Sequence, residues 1–127
     1  MTLNAMTSLW ARTALCWFLA ALCFGLYLGF TQQFQFGSSH AHVGLLGWVS
    51  SALFALLYAL AAGETPRGAK LHWAAHNLGA LGMVSGLYLV VRTGNEAFGA
   101  MIGLSGLLIL LATLWLVGTM WGRLAAR

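Results

Sequence analysis

Four long apolar stretches, at residues 10–30, 40–62, 71–91 and 98–121, govern what this 127-residue chain can fold into. Each is close to the ~20 residues that an α-helix needs to cross about 30 Å of hydrocarbon, rising about 1.5 Å per residue. The connections at residues 31–39, 63–70 and 92–97 are short and polar, and the middle one holds the only proline, Pro66. Apolar residues make up 61% of the chain and charged residues 6%, which leaves too little polar surface to cover a water-soluble globule. The expectation is an all-α, integral membrane four-helix bundle. Residues 1–127 form one domain with antiparallel sequence neighbours and the lipid bilayer as surroundings.

Arg12 precedes the first apolar run, but no small-residue cleavage site surrounds Cys16 or Cys23, so this segment reads as a retained helix. Orientation follows from Lys and Arg in the short flanks. Arg12, Arg67, Lys70, Arg123 and Arg127 lie on one side and Arg92 alone on the other, so both termini are expected in the cytoplasm of a multi-pass inner-membrane protein. The net charge of +4 reflects this topology and gives no reason to invoke nucleic acid. Cys16 and Cys23, about 10 Å apart along one helix, are too distant to pair and read as packing residues.

The four histidines carry the chemistry. Ionisable side chains in hydrocarbon are costly and are usually kept for binding an ion, a proton or a cofactor. His40 and His42 open the second stretch, with Ser38 or Ser39 as an expected N-cap. Residues two apart on a helix point in nearly opposite directions, so this pair serves two neighbours rather than one ion. On the His40 side run Gly44, Gly47 and Ser51, a strip that suits a flat ring or the close approach of another helix. His72 and His76, spaced i, i+4 on one face, start the third stretch at the opposite membrane boundary. They can hold a transition metal or present one ligand with a supporting partner, and Asn77 is placed to orient an imidazole.

The segment His40-x-His42-x-Gly44-x-Leu46-Gly47-Trp48-Val49, continued by Phe54 and Leu57-Tyr58-x-Leu60, resembles the tenth transmembrane helix of the large subunit of cbb3-type heme-copper oxidases and the related nitric oxide reductases. The resemblance covers about 21 residues and does not extend to the other three helices. It implies a high-spin heme ligand at His40, a low-spin heme ligand at His42, and a chain similar to one four-helix set of a subunit built from three such sets. A homotrimer holding b-type heme between subunits is then expected, with Gly44 and Gly47 giving the macrocycle room.

The chain also departs from that family. It has no further histidines beside His40 and His42 for a second metal, and its only acids, Glu64 and Glu96, lie in loops. A complete terminal oxidase or nitric oxide reductase is therefore not expected. The expected function is heme binding for electron transfer or for O2 or NO, with an unknown redox partner. The alternative is a copper- or zinc-handling or oxidase-assembly protein drawing on His40, His42, His72 and His76. Gly25 and Gly29, and Gly99, Gly103 and Gly106, are expected to mark close helix packing. Trp10, Trp73 and Trp121 are expected in an interfacial belt, Met101 reads as filler, and Trp48 packs on a porphyrin or on the next helix.

Overall fold

A computed structural model of the chain describes residues 4–61 and 64–125, which are helical apart from short turns. Helix α1 covers Ala5–Thr31 and begins at Asn4, whose Oδ1 accepts from the Thr7 amide at 2.7 Å while its Nδ2 donates to the Tyr58 carbonyl at 3.0 Å. The second membrane-length segment, Phe34–Leu60, is composite. It consists of a 3₁₀ turn (Phe34–Phe36), α2 (Gly37–His42), a π-helical segment (Val43–Val49) and α3 (Ser50–Leu60). Helix α4 covers Ala69–Thr93 and α5 covers Phe98–Met120. Four helices are thus long and apolar enough to cross a membrane.

The first two segments begin several residues ahead of the apolar stretches. The largest difference is at the second. Gln32 adopts a left-handed conformation (φ 57) and its amide bonds back to the carbonyls of Gly29 and Leu28, so Gln32 and Gln33 alone make the turn. Phe36 is then buried and stacks on Tyr88 of α4, with ring centroids 4.5 Å apart. Ser38 and Ser39 consequently lie inside α2 and neither is an N-cap, Ser39 being buried. The end expected at residue 62 falls outside the described residues, and the chain is already extended at Ala61.

Helix α1 packs along the second segment, α2 meets α4, and α4 and α5 form the closest pair. The start of α1, the end of α5 and residues 64–68 gather at one end of the bundle, where Met6 and Trp10 pack with Tyr58, Leu116 and Met120 and the Arg123 guanidinium donates to the Glu64 carbonyl. Arg127 lies outside the described residues. The α4–α5 contact is set by glycine, but by α4's rather than α5's. A side chain at Gly79 or Gly86 would collide with Ile109 or Ile102, and one at Gly82 with Ser105. Gly29, Gly99 and Gly103 face open space, which corrects their expected packing role, while Gly106 meets only the Met83 methyl.

Other expectations also change with packing. Trp10 is not in an interfacial belt: it is 0% exposed, edge-on to Phe54 at 4.9 Å. Trp73 is partly buried, donating from Nε1 to Thr13 Oγ1 at 2.9 Å, whereas Trp121 is exposed. Cys16 and Cys23 are free and exposed on the outer surface of α1 instead of packed inside.

Candidate functional site

The histidines occupy two neighbourhoods, and the π segment links them. A helix with i→i+5 bonding that returns to α register leaves a carbonyl short of its usual amide partner, and such segments recur at functional sites. Here the Leu46 carbonyl, at the middle of the π segment, accepts from Nε2–H of His76 on α4 at 2.9 Å. The Leu45 carbonyl accepts from the Ser50 amide and also from the Ser50 hydroxyl, the latter at 2.8 Å. Since Leu46 follows His42 by only four residues, about 6 Å of helix rise, the two histidine pairs are closer in depth than most of a membrane thickness. The reason is that the second segment starts at Phe34 and α4 at Ala69, which carries His42 and His76 inward along antiparallel helices.

His40 and His42 flank the buried Ser39–Val43 stripe of the second segment. His40 turns toward α1: a Cβ added at Gly25 would lie 2.9 Å from its Cε1, and its ring stands edge-on to Phe24 at 6.0 Å. Gly25 is thus the residue whose missing side chain admits the imidazole. The Nδ1 of His40 is buried with no hydrogen-bond partner among the described residues.

His42 differs. Its Nδ1 lies 2.8 Å from the Ser38 carbonyl, which accepts only, so Nδ1 carries the proton and donates it. Nε2 therefore holds the lone pair, and the half-buried side chain makes no other hydrogen bond among the described residues. An N–H donated to a backbone carbonyl with the other nitrogen left as an electron pair is the arrangement that orients a metal-ligating histidine and raises its basicity.

The glycine strip beside His40 is divided. Gly44 has nothing within 4 Å of where a side chain would start, but Gly47 is covered by the Trp17 indole. A flat ring does lie against the helix there, and it belongs to α1. Trp17 is fixed by donating Nε1–H to Asn77 Oδ1 at 2.8 Å, and Asn77 Nδ2 donates to the Trp73 carbonyl at 2.9 Å. Both ends of that amide are committed, so Asn77 orients an indole rather than an imidazole. Trp48 packs on Phe18 of α1 at 4.2 Å.

His72 and His76 are 3% and 1% exposed, with ring centroids 6.4 Å apart. An aromatic cage surrounds them, built from Trp10, Phe54, Tyr58 and Trp115. The Tyr58 hydroxyl is 3.2 Å from His72 Nδ1, while His72 Nε2 and His76 Nδ1 are buried without partners among the described residues. No group of three or more His, Cys, Asp or Glu side chains poised around one ion occurs among the described residues. The cage residues went unrecognised in the sequence. The available signal was the i, i+4 pair Phe54 and Tyr58, which an antiparallel neighbour brings opposite His72.

Comparison with protein-family models, curated proteins and solved structures gives no match.

Proposed function

We propose that the chain is a small b-type heme protein of the bacterial inner membrane, resembling a single four-helix repeat of the heme-copper oxidase core and serving electron transfer or diatomic-gas binding. The observation that carries this reading is the His42 imidazole, with Nδ1–H held by the Ser38 carbonyl and Nε2 left as a lone pair on a half-buried side chain. Those features suit an axial ligand. His40 does not offer the same fit, because its ring is lodged against Gly25 and the glycine strip beyond it is half covered by Trp17.

His42 of one chain would then hold the heme together with a different histidine of the neighbouring copy, in a closed ring for which a homotrimer is the favoured size. Heme bound there supplies one-electron or gas-binding chemistry, while the protein tunes it through ligation and low dielectric. The basic end of the bundle, with Arg67, Lys70 and Arg123, faces the cytoplasm by the positive-inside rule.

Heme content per chain, measured as the pyridine hemochrome on detergent-purified protein, tests the assignment. His42→Ala should lose the heme and His40→Ala should keep most of it. Full retention with an unchanged spectrum in His42→Ala removes His42 as a ligand.

A further inference from the structure

His72 and His76 are held through one ring nitrogen each, and the other nitrogen of each ring is buried without a hydrogen-bond partner among the described residues. The partners fix where the protons sit. The Leu46 carbonyl only accepts, so His76 carries its proton on Nε2 and its Nδ1 holds a lone pair. At His72 the Tyr58 oxygen accepts as well as donates, so Nδ1–H can donate to it at 3.2 Å and leave Nε2 as a second lone pair. An imidazole whose N–H is held by an oxygen while its other nitrogen is bare is oriented for a metal ion.

Leu46 lies in the π segment and Tyr58 near the end of α3, so the antiparallel second segment holds His76 from one end of the pair and His72 from the other. The two nitrogens of an imidazole lie on opposite flanks of the ring, which turns the bare ones toward the space between the rings. The centroids are 6.4 Å apart. A direct N–H···N bond would draw them to about 5 Å, whereas one metal ion bonded to both nitrogens at about 2.0 Å would set them about 6 Å apart.

The surroundings choose the ion. Glu64, Glu96, Cys16 and Cys23 are exposed, and no third His, Cys, Asp or Glu joins the pair among the described residues. Zn²⁺ takes four ligands, and the charge of any divalent ion would stay uncompensated in this buried site. A monovalent ion costs less to bury and meets aromatic rings. Phe54 lies 5.0 and 4.9 Å from the two imidazoles and Trp10 5.1 and 5.7 Å, centroid to centroid, so the midpoint of the pair is about 4 Å from either ring centre, within cation–π range. Met6 and Met120, buried in the core that includes Trp10, place thioethers next to the pair at the bundle end, and thioethers favour the same soft ion.

We infer that His72 Nε2 and His76 Nδ1 form a two-coordinate site for a soft monovalent cation, Cu(I), with Ag(I) as its chemical equivalent. The inference stands apart from the heme reading, because no residue of the His42 neighbourhood takes part.

The test uses the full chain in detergent micelles, with Cys16→Ser and Cys23→Ser to remove competing exposed thiols, titrated anaerobically with Cu(I) against a chromophoric chelator. The expected result is one tightly held Cu(I) per chain, with an X-ray absorption spectrum of two nitrogen neighbours and no sulfur. His76→Phe should weaken binding at least a hundredfold, and Tyr58→Phe about tenfold by releasing the His72 ring. His42→Ala should bind as the parent does. No binding above that of empty micelles overturns the proposal, as does a sulfur neighbour or loss of the copper in His42→Ala alone. Nitrogen NMR of the chain with isotope-labelled histidine and its own four imidazoles intact reads the site even if a variant does not fold. Ag(I) should then show scalar coupling to one Nδ1 and one Nε2, and spectra left unchanged by Ag(I) mean that water alone fills the gap, which overturns the proposal.

Discussion

Replacing His76 by Phe isolates what the bond to the π segment contributes. The ring position survives the change, so contacts with Trp10 and Phe54, now at centroid distances of 5.7 and 4.9 Å, are largely kept. What disappears is the donor to the Leu46 carbonyl. Hydrogen bonds between membrane helices average about 0.6 kcal/mol and reach about 1.7. The acceptor left behind is part-buried, and a buried polar group without a partner costs about 1–3 kcal/mol. Phe also removes the orphaned Nδ1 of His76, which returns part of that cost. The net expectation is a loss of about 1–2 kcal/mol, or roughly a 5–30-fold change in the folded-to-unfolded ratio. Reversible unfolding in mixed micelles of increasing dodecyl sulfate content measures it. A His76→Phe variant as stable as the parent would show that the π segment is satisfied without α4, and the link drawn between the two histidine neighbourhoods would be wrong.

Three further outcomes follow from the packing. Gly82→Leu, forced into Ser105, should destabilise the bundle by about 1–3 kcal/mol, whereas Gly103→Leu, facing open space, should be close to neutral; the same unfolding assay compares them, and equal effects would contradict the α4–α5 seam. Trp17→Phe should cost about 0.5–1.5 kcal/mol by freeing Asn77 Oδ1, and Asn77→Leu combined with it should cost little more, a non-additivity that a double-mutant cycle reads. Tyr58→Phe, which leaves His72 Nδ1 without its partner, should lower stability by about 1 kcal/mol, and no change in the unfolding midpoint would mean that the 3.2 Å contact contributes nothing.

Hydropathy made the four spans readable, because a length of apolar chain sufficient for the bilayer admits few other structures. It misplaced their ends where the last turns are polar or aromatic: Asn4 opens α1 as a cap, and Phe36 enters the bundle by stacking on Tyr88. Faces were harder to read than lengths. On helices apolar all round, nothing in the sequence says whether Gly79, Gly82 and Gly86 or Gly99, Gly103 and Gly106 meet a neighbour, and the contact fell to the first set. The opposed directions of His40 and His42 follow from helix geometry alone. Which ring fills the strip at Gly47 depends on α1, and Trp17 takes it. The π segment left no pattern to read, since its satisfaction rests on His76, 30 residues away in the chain. Trp10 misled for a related reason: its place near a helix end suggests a boundary residue, yet the core formed by Tyr58, Leu116 and Met120 closes over it.

The central claim, that His42 grips porphyrin iron, is tested most directly by the reduced-minus-oxidised absorption spectrum of the unmodified protein purified from heme-replete cells. The account predicts a b-type band from a stably bound heme. A folded, colourless preparation with no such band would contradict it.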